Sequence, residues 1–202
     1  MEVESFDLPH ELFKGTEELF CISLVSRALD PIVDGDIWIE EMSNLKKMFW
    51  IFQPEAFDPS RNYKSISNCF AGHDYRDDLI QLAIDLSKTR LIIVNSGIIQ
   101  LYDKDCRKTT VEESQRQTEI FVKTELAEDI ALSRNWSDER TKERLESIEF
   151  MGLDEFMEKE EWWKYLDAED LEDWKVMTDD VEQRFAVKAE TNPADDKEVM
   201  EA

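Results

Sequence analysis

The chain has 202 residues, with 24 Lys and Arg against 48 Asp and Glu, a formal net charge of −24. That length fits one domain, or one domain plus a helical extension. A 42% hydrophobic content with only five glycines and five prolines excludes collagen-like, low-complexity and wholly disordered chains. No apolar run approaches the roughly 18 residues of a membrane span, no charged-then-apolar leader opens the chain, and the acid excess disfavours direct binding to phosphate backbones. Three scattered cysteines, Cys21, Cys69 and Cys106, cannot build a disulfide framework; they imply reduced thiols in a cytoplasmic or nuclear protein.

In chain order, Thr16 is positioned to cap a helix beginning at Glu17, with Phe20, Leu24, Val25 and Ala28 along one side and Asp30-Pro31 as its stop. Residues 36–53 carry two patterns. Trp38, Met42, Leu45, Phe49 and Phe52 have helical spacing, whereas Met48-Phe49-Trp50-Ile51-Phe52 has the composition of a strand. Residues 54–72 are loop-like, and residues 77–88 predict a buried helix carrying Leu79, Leu82, Ala83 and Leu86. Leu91–Val94, the turn Asn95-Ser96-Gly97 and Ile98–Tyr102 predict a hairpin over about 90–103, with Gly97 in the left-handed position. Both arms are apolar at consecutive residues, so both faces are expected to be covered.

The second half is a string of acidic helices: 112–134, a helix capped by Ser137 and running to about Phe150 with Gly152 as breaker, then 153–166, 168–177 and 179–189, the last capped by Thr178. Residues 112–202 hold 29 acids and 12 bases, and residues 1–111 hold 19 acids and 12 bases. The expected fold is therefore α+β and helix-dominated, with a mixed domain (1–111) built on a central hairpin, an acidic helical region (112–189) and a disordered acidic tail (190–202).

On a helix starting at Leu153, about 100° per residue puts Leu153, Phe156, Met157 and Trp163 on one arc, the predicted core stripe. Asp154, Glu155, Glu158 and Glu161 fall on the other side, together with Trp162 and Tyr165. Two adjacent tryptophans cannot both be buried against one neighbour, so one of them faces a second element, a partner or water. Carboxylates with embedded aromatic rings suit an Arg- or Lys-rich surface, because charge steers the encounter and the ring accepts the cation. The plainer alternative is that the next helix, with Leu171 and Trp174, folds back over Trp162 and leaves the carboxylates as solvated surface.

Catalytic chemistry has little material. The only histidines are His10 and His73. Cys69 and His73, with His10 and Cys106, have the residue types of a zinc site but contain no C-x-x-C pair. His73-Asp74 resembles the metal-binding pair of HD phosphohydrolases, without the further histidine that the family uses. Asp103 and Asp105 with Lys104 or Lys108, and Glu119 with Lys123, are the candidate carboxylates of a metal-dependent hydrolase, at a spacing that departs from nuclease motifs. No phosphate-cradling glycine loop and no nucleophile-elbow motif occurs. Leu8-Pro9-His10-Glu11-Leu12 and Ile22–Leu29 resemble the two ends of an F-box, which implies helices docking on a ubiquitin-ligase adaptor, although the segment between them is shorter than the family's.

The residues thus lead to an intracellular interaction protein, an inhibitor or adaptor, that binds a basic protein surface through Asp154, Glu155, Glu158, Glu161, Trp162 and Tyr165. No catalytic residue, metal ligand or cofactor is assigned, and no membrane contact is expected. Nucleic-acid mimicry is compatible with the charge, since −24 equals the phosphates of roughly 12 base pairs. A metal-dependent hydrolase at the end of the hairpin and a structural subunit of an assembly are the alternatives.

Overall fold

The computed structural model describes residues 15–24, 43–55, 75–101, 110–133 and 136–191. Four strands, β1 (Glu18–Leu24), β2 (Lys47–Gln53), β3 (Arg90–Val94) and β4 (Ile148–Met151), form one sheet in sequential order, every neighbouring pair parallel. The register aligns Cys21, Trp50, Ile93 and Phe150 across the sheet. Helices α1 (Tyr75–Asp85), α2 (Ile98–Leu101), α3 (Val111–Ser133) and α4 (Asp138–Glu146) lie between strands; α5 (Leu153–Lys159), a 3₁₀ turn (Trp162–Lys164) and α6 (Ala168–Thr191) follow β4. The fold is a mixed, helix-rich α+β arrangement.

Sequential parallel strands joined by crossovers of one hand carry their crossover helices on one face. On that face Met48, Trp50, Phe52, Leu91 and Ile93 pack with Leu79 and Leu82 of α1, with Leu86 directly after it, and with Val122, Leu126 and Ile130 of α3. On the opposite, outer face Phe49, Ile51, Ile92 and Val94 pack with Phe156 of α5 and with Leu171 and Trp174 of α6. Strands covered on both sides are apolar at every residue rather than every second one, which is why Met48–Phe52 and Leu91–Val94 are uninterrupted.

Several expectations are corrected here. The segment from Glu18 is β1, not a Thr16-capped helix, and Ile22–Leu24, which carried one end of the F-box resemblance, is strand. Lys47–Gln53 is strand, so the helical spacing of residues 36–53 does not hold there. The central hairpin over 90–103 is absent: β3 is flanked by β2 and β4, both parallel, and Ile98–Leu101 is helical. The left-handed residue of the turn is Asn95, with φ 61°, rather than Gly97. The Asn95 and Ser96 carbonyls accept from Ile98 N–H and Ile99 N–H, which starts a helical turn and not a second strand. Ser137 does cap α4, its Oγ accepting from Arg140 N–H, but the segment ends at Glu146 and Ile148–Met151 is β4. The predicted boundary at residue 111 runs through this sheet, with β1–β3 before it and β4 after. The helices expected at 168–177 and 179–189 are one, α6, within which Thr178 donates to Trp174 O four residues back. The predicted loop beyond Glu55, residues 102–109 with Asp103, Lys104, Asp105 and Lys108, and the tail beyond Thr191 lie outside the described residues.

Asn95 joins three elements. Its Nδ2 donates to Phe52 O at 3.1 Å and to Thr178 Oγ1 at 3.3 Å, and its backbone N–H donates to Met151 O at 2.9 Å. Asn95→Ala removes both side-chain bonds and puts a Cβ residue without Asn's left-handed tolerance at φ 61°, for an expected loss of about 2–3 kcal/mol. Asn95→Gly keeps the backbone and is expected to lose about half of that. Urea denaturation of the two variants separates the conformational part from the hydrogen bonds.

Candidate functional site

The predicted carboxylate face lies on the outer layer, but its helix is shorter than expected. Helix α5 ends at Lys159, and Glu160 is extended at φ −107°, ψ 153°. That break resets the helical phase, so the two tryptophans exchange their predicted positions. Trp162 turns inward, its Nε1 donating to Met157 O at 2.9 Å, and packs beside Leu166 on the outer-face core; Trp163 is 60% exposed. Tyr165 is 49% exposed.

Three of the four predicted carboxylates are held by lysines of the same layer. Lys175 pairs with Asp154, Lys159 with Glu155 and Lys164 with Glu161. Each carboxylate hydrogen bond raises the pKa of its lysine. Glu158 is exposed and has no ion pair among the described residues. Helix α6 continues the acidic surface with Glu169, Glu172, Asp173 and Asp179, all exposed, around Val176, which is 65% exposed.

Beside this layer lies a cleft that the sequence reading missed. It has a volume of about 420 Å³ and opens where β1, β2 and β3 begin. Lys47 and Arg90 are the first residues of their strands, and Glu160 reaches down to them from the end of α5. Glu160 is 8% exposed and accepts from Lys47 Nζ at 3.0 Å, with Arg90 Nη2 at 3.2 Å. Arg90 also grips Glu149 through Nε and Nη2. Three rings form one wall: Phe20 stacks on Phe49 at 4.2 Å between centroids, and Tyr165 covers Phe20 at 4.2 Å, its hydroxyl donating to Glu18 at 2.7 Å. Lys47 Nζ lies 5.2 Å from the Phe49 centroid. The available signal was a basic residue directly before each apolar run, Lys47 before Met48–Phe52 and Arg90 before Leu91–Val94.

The Arg90 hydrogen bonds hold the Glu149 carboxyl below its ordinary value of 4.5. A depressed carboxylate contributes stability above the unfolded-state pKa and loses it as pH falls through the folded one. The stability gap between wild type and Arg90→Gln is therefore expected to be largest at neutral pH and to shrink below about pH 4.5. Denaturant midpoints at pH 7, 5 and 3.5 check this, and the partial exposure of both groups keeps the gap at about 1 kcal/mol or less.

Of the other candidates, His10, Cys69, His73, Asp74 and Cys106 lie outside the described residues. Glu119 and Lys123 form an i,i+4 ion pair on α3. Among the described residues there is no group of three or more His, Cys, Asp or Glu able to hold a metal ion, and no helix long and apolar enough to cross a membrane. Cys21 is a free thiol on the crossover face, pushed up to about 11 by burial. No family model matches the chain, and no curated protein and no solved structure matches it.

Proposed function

We propose that the chain is an interaction protein, an inhibitor or adaptor rather than an enzyme, that binds a basic protein surface with its outer layer. The observation that supports this most is Trp163: a 60% exposed indole in a layer where carboxylates outnumber the lysines that neutralise them. An exposed tryptophan supplies buried area and a cation-accepting ring, and the surrounding acid accelerates encounter with a basic partner. Asp154, Glu155, Glu158 and Glu161, with Trp162 supporting Trp163 from within and Tyr165 beside it, form the contact region in this reading, and α6 extends the field. Nucleic-acid mimicry is its sharper form, in which the partner normally holds phosphate.

A deca-arginine peptide tests the reading by fluorescence polarisation at about 50 mM and about 300 mM salt, where the screening length falls from roughly 14 Å to 6 Å. Wild type is expected to bind at low salt and weaken at high salt. Reversing Glu155, Glu158 and Glu161 to Lys is expected to weaken low-salt binding by more than about tenfold, or about 1.4 kcal/mol. An unchanged affinity overturns the assignment.

A further inference from the structure

We propose that the cleft beside Tyr165 seats an arginine side chain of the basic partner, its guanidinium between Glu18 and Glu161 and its plane on the outer face of Tyr165. This rests on the interaction reading above and adds a specific anchor to it.

Tyr165 is the terminal ring of the Phe49–Phe20–Tyr165 stack: one face lies against Phe20, and no other ring covers the opposite face among the described residues. Glu18 and Glu161 line the same cleft, and neither is buried. The inner end of the stack already displays the arrangement proposed for the outer end. There Lys47 Nζ sits over the Phe49 ring while paired with Glu160 at 3.0 Å and lying 4.0 Å from Glu18. Ring plus two carboxylates is thus a combination this cleft uses once to hold a cation, and the outer end repeats its components around Tyr165.

Lys47, Arg90 and Lys159 also line the cleft, yet Lys47 and Arg90 are taken up by Glu160 and Glu149, and Lys159 by Glu155. The remaining field favours positive charge: Lys164 and the Tyr165 hydroxyl both titrate above their ordinary values, through Glu161 and Glu18 respectively. Lys164 is the internal competitor, since it occupies one Glu161 oxygen. A guanidinium outdoes it because it is planar, stacks on a ring and reaches two carboxylates with separate N–H groups, whereas an ammonium is a point charge.

The probe is N-acetyl-arginine amide, titrated against the full chain and followed by ¹H–¹⁵N NMR at the Trp163 indole and the amides of residues 160–166. A millimolar affinity is expected, weakened about fivefold or more by Tyr165→Leu and by Glu18→Gln, and retained in Tyr165→Phe, which keeps the stack. Glu125→Gln, an exposed position of α3 on the crossover side of the sheet, is expected to leave it unchanged. Three outcomes overturn the proposal: absence of binding to wild type, equal affinity in Tyr165→Leu and Glu18→Gln, or equal affinity for N-acetyl-lysine amide. If deca-arginine still binds with salt sensitivity while the Tyr165 and Glu18 variants match wild type, the cleft assignment falls and the interaction reading stands. If wild type binds neither probe at low salt, both fall.

Discussion

A Gly97→Ala chain is expected to lose about 3 kcal/mol or more, enough to abolish or strongly shift the cooperative unfolding transition seen by circular dichroism. The reason is the first turn of α3. A Cβ on Gly97 would overlap Val111 O and lie 2.9 Å from Gln115 N. Both are backbone atoms of a regular helix, so no side-chain rotation relieves the clash. Either the 95–97 turn or the start of α3 must move. The turn is tied to Phe52, Met151 and Thr178 through Asn95, while α3 is fixed by Val122, Leu126 and Ile130 in the core. Gly152→Ala is the matched control. Nothing lies within 4 Å of a Cβ there, and its φ of −74° and ψ of 171° suit alanine, so a change within about 0.5 kcal/mol is expected. Equal effects of the two substitutions would contradict the close approach of turn and helix.

Arg144→Ala is expected to cost about 3–4 kcal/mol, read as a drop in urea midpoint at unchanged slope. Arg144 is 3% exposed, and no carboxylate pairs with it among the described residues. Instead its Nε donates to Ala83 O at 2.8 Å, and its Nη1 to Thr89 O at 2.7 Å and Ser147 Oγ at 2.8 Å. Ala83 lies in the last turn of α1, where carbonyls have no partner in the helix and the dipole favours a cation. One guanidinium thus closes α1, the approach to β3 and the α4–β4 junction. Burial lowers its pKa to about 10, still well above neutrality, so it remains charged where it works. Arg144→Lys keeps the charge but cannot reach three acceptors in different directions, and is expected to recover less than half of the loss. Full recovery by lysine would mean that charge, not the bonding fork, is what the site requires.

Much of the helical layer was legible in the sequence, because amphipathic helices advertise their period. Helix α3 buries Ser114, Thr118, Val122, Leu126 and Ile130 at intervals of four, and Ser137 is a cap in the place its chemistry indicates. The strands were harder for a physical reason. Coverage on both faces removes the alternation that marks a strand, so β2 fits a helical wheel as readily as a sheet; in the edge strand β1 the alternation is lost because apolar Ile22 stands at an exposed position. At Leu91–Val94 the strand was readable, but the slot beside it was not. A turn of Asn-Ser-Gly between apolar runs fits a hairpin, and what excludes one is β4, whose four residues arrive more than fifty positions later. In the candidate site the carboxylates and rings were visible, whereas the phase of Trp162 and Trp163 depended on one extended residue, Glu160, that no propensity marks. The cleft needed three strands brought into register before its charges converged.

Helix α6 has a consequence for the order in which the molecule is completed. Its Glu182 accepts from Val111 N–H, 71 positions earlier, and its Thr178 accepts from Asn95, 83 positions earlier. Until it is synthesised and docked, Ile51, Val94, Met151 and Phe156 lack their cover of Leu171 and Trp174, and the Val111 N–H at the start of α3 lacks its Glu182 acceptor. Contacts of such long sequence separation form late and slowly. The same acidic helix that extends the proposed binding surface is therefore the final closure of the core among the described residues, and in a chain that has made it but not yet docked it, its charge opposes association between copies while the apolar face is still open.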